Sequence, residues 1–239
     1  MDITHEEQKN KWNQEHAEPF ALKQMDSDQA SSNLHAFYEF LKEQNLEKIR
    51  GVEMGCGKGR GVIWLAQQEK VEHMSGFDFS EVAISEAKER ATKGGVSDKT
   101  DFVVADATEP WPYGDDSFNV AIDWTATTDI ESTEGRNKAI LEMFRVVKPE
   151  GYIMVYVVSS DDEYHKEMIE KSPAQEKDAF IHPETGKFEK IFSEEELGDL
   201  YHDFTLVEKR RINKVTSFFG KEYKCYLHWR IYQKCNHKA

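Results

Sequence analysis

The chain has 239 residues, 38% of them hydrophobic and 32% charged, which fits one large α/β domain with covering segments and leaves little room for two. A net charge of −14, from 31 Lys and Arg against 45 Asp and Glu, argues against a nucleic-acid binder, whose affinity rests on clustered cations. An odd set of cysteines (Cys56, Cys225, Cys235), a polar acidic N-terminus and no apolar run near the ~20 residues of a membrane span predict a cytoplasmic protein with no membrane partner.

Residues 1–32 are polar, with Trp12 and Phe20 as isolated aromatics, which predicts a helix lying over another part of the molecule. Leu34, Phe37, Tyr38 and Leu41 then form the stripe of an amphipathic helix, so 1–45 is expected to be a helical cap. From Ile49 the chain alternates. Ile49–Met54 reads as a buried strand entering a glycine loop, followed by a helix near 60–68 and a second strand over Met74–Phe79. Ser80 can cap a helix carrying Val82, Ala83, Ala87 and Ala91. Strands are expected at Phe102–Ala105 and Phe118–Asp123, then a helix striped by Ile140, Leu141, Phe144 and Val147 that stops at Pro149. Tyr152–Val158 is the next strand, and the alternation predicts a parallel sheet. Residues 159–192 are polar, read as irregular, and are expected to be an inserted lid that closes with the cap over a small molecule. A capping box at Ser193–Glu196 opens another helix, and Thr205–Val215 and Tyr223–Gln233 close residues 1–239, a single domain, as an antiparallel hairpin.

The chemistry concentrates in Glu53-Met54-Gly55-Cys56-Gly57-Lys58-Gly59. Glycines after a strand let backbone approach a ligand, and the following helix offers free N–H groups. A dinucleotide fingerprint would need a third glycine where Arg60 stands, and the acidic Glu53 is unwelcome to a pyrophosphate. A carboxylate there suits a ligand carrying an ammonium and a sulfonium, which S-adenosylmethionine is. Asp78, about 20 residues on, has the place of an acid that accepts from ribose hydroxyls. Asp106, at the end of the third strand, can accept from an adenine amino group.

With these pieces, and with Ser117–Asp123, Arg145–Tyr152 and His228–Tyr232, the chain resembles the class I S-adenosylmethionine-dependent methyltransferases, in their small-molecule type 11 or 25 branch, over about residues 34–234. The resemblance implies a Rossmann-like α/β fold with a seven-stranded sheet in the order 3-2-1-4-5-7-6, its last strand antiparallel. It implies that Gly55, Cys56, Gly57 and Gly59 hold the methionine part, Asp78 the ribose and Asp106 the adenine. Ala107 would touch the adenine through its backbone, Phe79 would pack on its face, and Asp123 with Trp124 would border the methionyl end. Asn119 stands where the family often carries Asp. Methyl transfer needs alignment more than a base; His182, Tyr164 and Trp124 are the candidates for a catalytic role, and no metal is expected. No Asn-Pro-Pro-aromatic stretch and no Pro-Cys pair is present, which lowers nucleic-acid substrates further. The expected partner is a small-molecule acceptor met by a monomer or homodimer, with S-adenosylhomocysteine as the product; a protein or tRNA substrate, or a subunit that binds the cofactor without catalysis, are the alternatives.

Overall fold

Five strands run parallel, each ending at the same edge of one sheet: β1 (Ile49–Met54), β2 (Val71–Asp78), β3 (Thr100–Val104), β4 (Phe118–Trp124) and β5 (Val147–Val158). This is a computed structural model in which residues 3–20 and 30–235 are described. The last strand, β9 (Lys221–Lys234), lies antiparallel to β5, and β8 (Phe204–Phe218) pairs with its outer side. The seven-stranded order β3-β2-β1-β4-β5-β9-β8 is the expected one, because a separate hairpin of β6 (Ala179–Ile181) and β7 (Phe188–Lys190) precedes β8 in the chain. Phe219 and Gly220, both at positive φ, make the two-residue turn between β8 and β9.

The period of two along β1 sorts its side chains between two cores. Val52 and Met54 face helices α5 (Thr133–Val146) and α7 (Glu194–Leu200), while Ile49 faces α2 (Ser32–Glu43), α3 (Arg60–Ala66) and α4 (Glu81–Lys93). The expected stripe Leu34, Phe37, Tyr38 and Leu41 is buried on α2. Ser80 caps α4 through Ala83 N at 3.2 Å, and Ser193 opens α7 in a capping box. Asn119, at the far end of the sheet, accepts from Arg50 N and donates to Lys48 O, tying β4 to β1.

Three expectations change. Val147 is the first residue of β5 rather than part of the preceding helix, and Leu141 of α5 is 59% exposed. Residues 159–192 are not irregular: Asp162 caps α6 (Glu163–Lys171), and the β6–β7 hairpin follows. Their apolar residues Tyr164, Met168, Phe180, Phe188 and Phe192 are buried, but fall in runs too short to show a period. The cap contains α1 (His5–Ala17), opened by a Thr4/Glu7 capping box, and α2; its residues 21–29 lie outside the described ones.

Candidate active site

A cavity opens at the carboxyl ends of β1 to β4, where strand order reverses beside β1. Its floor is the turn after β1. Gly55 lies at φ +61, and a Cβ there would stand 2.7 Å from that of Ala126, so only glycine fits between the turn and the segment after β4. Glu53 projects from β1 against α3, where a Cβ on Gly61 would come within 2.5 Å of its Oε2. Burial pushes the Glu53 carboxyl up to about 8 despite the Arg60 charge and the Val62 backbone N–H, and its Oε2 has no hydrogen-bond partner.

Asp78 ends β2 and fastens the turn: it accepts from Gly57 N at 3.0 Å and from Ser80 N at 2.9 Å. Burial raises its carboxyl above the usual range, opposed by the nearby His16 and by those two amides. Cys56 is buried on the cavity wall and its thiol is pushed well up by burial and by Asp78, which makes it a poor nucleophile. Phe79, Ala107 and Trp124 also line the cavity, and Trp124 packs on Tyr156 in a tilted pair with ring centroids 4.5 Å apart.

Asp106 follows β3. One carboxylate oxygen accepts from Thr108 N and Oγ1 at 3.0 and 2.8 Å; the other meets His5 Nε2 at 2.7 Å and Lys9 Nζ at 3.3 Å. Burial works to raise this acid, but the His5 and Thr108 bonds hold it down at about 2. His5 also reaches Glu131 at 2.9 Å, and its imidazole is raised, burial being outweighed by these two acids.

Asp123 is not on the cavity wall. It is fully buried, bonded to Thr127 and, at 2.7 Å, to Tyr201 OH, and it holds the turn that carries Ala126 and Asp129 into the cavity. Thr125 makes that turn at φ +65, a costly conformation for a β-branched residue. Asp129 is half-buried there, its carboxyl pushed above the usual carboxylate range by desolvation and by Glu189, with Lys187 opposing. Tyr164 and His182 also lie off this wall: they bond each other at 2.9 Å in a cluster with Phe180. Of the three catalytic candidates, the structure brings only Trp124 to the cavity.

Helix α1 lies across the opening, with His5, Gln8, Trp12 and His16 on the wall. Gln8 donates to Asp129 O and Phe188 O and accepts from Phe188 N, so it joins α1 to the turn after β4 and to β7. Lys187 is 3.7 Å from both Glu15 and the Trp12 ring centroid. The expectation of this helix rests on Trp12 and Phe20 and not on the Thr4/Glu7 capping box that opens it, and nothing in the sequence pairs His5 and Lys9 with Asp106. Among the described residues no group of side chains is arranged to hold a metal ion, and no helix is long and apolar enough to cross a membrane.

Glycine turn, strand-end acids and sheet order together define a nucleoside-binding α/β domain. A family model described as "Methyltransferase domain" matches residues 46–204, more than half of the chain. The ubiquinone/menaquinone biosynthesis C-methyltransferase of Bartonella quintana is 37% identical over 44% of this chain and 38% of its own length. The chain spans less than half the length of that relative and of a Haemophilus influenzae protein that is 31% identical over 50% of this chain and 46% of its own. A solved S-adenosylmethionine-dependent methyltransferase of Methanosarcina mazei superposes with TM-score 0.71 at 25% identity, over 83% of this chain and 98% of that one. The Burkholderia thailandensis 1,6-didemethyltoxoflavin-N1-methyltransferase, solved with S-adenosylhomocysteine, shares the fold at TM-score 0.69 and 15% identity, over 95% and 87% of the two chains. The chain belongs to the S-adenosylmethionine-dependent methyltransferases, an enzyme family whose cofactor is S-adenosylmethionine.

The residues fit that cofactor. Glu53 Oε2 is a buried acceptor without a partner, as an ammonium requires, and the turn from Gly55 to Lys58 borders the same space as Asp78; Gly59, expected to hold the methionine part, lies off this wall against Phe102 and Ala87.

Proposed function

We propose that this protein transfers the methyl group of S-adenosylmethionine to a small-molecule acceptor bound beside Trp124 beneath helix α1. The observation that carries the reading is that one cavity is lined both by Glu53 with the turn Gly55–Lys58 and by Trp124, Thr125, Asp129 and Ile130, and that α1 roofs it. A roofed cleft suits a small acceptor better than a folded macromolecule. The names of the Bartonella and Burkholderia relatives also describe small-molecule methylation.

In this reading Glu53 and the glycine turn take the methionyl part and Asp78 the ribose. When bound, the cofactor supplies a methyl group activated by the sulfonium charge. The chain's task is then alignment and exclusion of water, and no dedicated base is needed. Trp124 presents a flat apolar face to the acceptor, and Asp129 a polar side chain.

Incubation with methyl-labelled S-adenosylmethionine and a fractionated cell extract tests this: label is expected in the low-mass fraction. Label in protein or in RNA instead would overturn the small-molecule reading. The α6–β7 segment and α1 are proposed to act as the lid, so S-adenosylhomocysteine should slow their proteolysis; equal cleavage with and without it counts against the lid.

A further inference from the structure

Helix α1 is buried in an unusual way. The residues it buries are Gln8, Glu15 and His16, so no apolar stripe holds it down. From His5 to His16 it runs about 16 Å, from Asp106 at one end of the cavity to Gly57 at the other. It lies wholly outside residues 46–204, where the family model matches.

Its two ends meet the cavity differently. At the first, both carboxylate oxygens of Asp106 are engaged. Thr108 N and Oγ1 hydrogen-bond one oxygen; His5 bonds the other, and the Lys9 ammonium pairs with that same oxygen at 3.3 Å. An adenine amino group reaching Asp106 competes with these groups for the two oxygens. The Thr108 pair is local to the turn after β3; the His5 and Lys9 pair comes from a helix held by polar links. At the other end, the His16 ring stands 3.6 Å from where a Gly57 Cβ would be, and its Nδ1 is buried without a partner. His16 is only 8% exposed, and Asp78 acts on it electrostatically. Trp12 Nε1, one turn earlier on the same helix, is likewise buried and unpaired. The unpaired atoms Glu53 Oε2 and Glu131 Oε2 belong to the opposite wall of the same cavity.

We propose that α1 is an exchangeable wall of the cofactor cleft, latched on Asp106 by His5 and Lys9 until the adenine amino group displaces them, and that His16 Nδ1 bonds the cofactor beside Asp78. This rests on the cofactor assignment above. The latch residues compete with the cofactor and His16 assists it, so their removal has opposite effects.

Calorimetry with S-adenosylhomocysteine as the probe separates them. The double variant His5→Ala/Lys9→Ala is expected to bind about fivefold more tightly than the wild type, and His16→Ala about tenfold more weakly, each within the range of one or two hydrogen bonds. His16→Asn, which keeps a polar atom near the Nδ1 position, should recover most of the loss, whereas a helix merely destabilised by the substitution would not recover. Amide exchange supplies a second readout: α1 should exchange faster in the ligand-free double variant than in the wild type, and the probe should slow it in the wild type. Both variants shifting affinity in the same direction, or neither shifting it, overturns the proposal. Absence of binding by the wild type overturns the cofactor assignment and this proposal together.

Discussion

Strand β1 reaches the cavity from the middle of the sheet with Val52 and Met54 fully buried, whereas α1 reaches it from outside with Gln8, Glu15 and His16 as its buried residues. Burial of apolar side chains is non-directional and grows with area, so the glycine turn sits on a base that moves only if the domain unfolds. Polar links stabilise by about 0.5–1.5 kcal/mol each and can be exchanged for water or ligand. One wall of the cavity is therefore set by the fold, and the facing wall by bonds that a ligand can replace. The family model covers the first and omits α1.

The sharpest way to break this comparison is at Asp78, where the fixed wall is itself tied by polar bonds. Asp78→Ala leaves Gly57 N and Ser80 N without their acceptor and removes the proposed ribose contact. Affinity for S-adenosylhomocysteine should fall about ten- to hundredfold, the weight of a hydrogen bond to a charged group. A change under about twofold in titration calorimetry would show that the turn holds its shape without this acid and that the ribose assignment is wrong. On the facing wall, Gln8→Ala strands three backbone groups, Asp129 O, Phe188 O and Phe188 N. It should cost about 1–2 kcal/mol in denaturant unfolding, with amide exchange quickening in α1 and β7 while β1 keeps its protection. Loss of protection in β1 as well would mean that the two walls are one cooperative unit.

Glu53 tests the fixed wall through protons. With its carboxyl raised to about 8, chiefly by burial, it is mostly protonated in the free protein at pH 7, whereas in the unfolded chain it would be ionised. The same shift lowers folding stability as pH rises from about 4.5 to 8, because the native state retains a proton that the unfolded state has released. A cofactor ammonium at Oε2 favours the carboxylate, so binding at pH 7 should release close to one proton. Binding heats of S-adenosylmethionine in buffers of different ionisation enthalpy measure it. Buffer-independent heats, or the same release from Glu53→Gln, would remove Glu53 from the ammonium site.

The same contrast explains what could be read from the sequence. Ile49–Met54 was legible to the residue because a buried strand running into Gly55 has few other conformations. Sheet order followed from resemblance. The strand-end acids Asp78 and Asp106 lay where chain order put them, on the cavity wall. Asp123 obeyed the same address but turned away, because Thr127 and Tyr201 supply donors inside the protein, and Tyr201 is 78 residues distant. Tyr164 and His182 have catalytic chemistry but bond each other, a pairing across 18 residues that no local period encodes. His5 and Asp106 are 101 residues apart, and polar bonds at that range leave no pattern in a sequence.

The smallest expected effect serves as the control. Gly198 lies on the outer side of α7, where a Cβ would meet nothing within 4 Å, whereas one on Gly61 would strike Glu53. Helical glycine costs about 0.5–1 kcal/mol relative to alanine through backbone entropy. Gly198→Ala should therefore raise unfolding stability by about that amount and leave S-adenosylhomocysteine affinity unchanged, since α7 does not line the cavity. Gly61→Ala should weaken both, because the added methyl displaces the Glu53 carboxyl from α3. If Gly198→Ala changed ligand affinity as well, α7 would be coupled to the cavity through the Tyr201–Asp123 bond at its end, and the fixed wall would extend further out than the buried strands.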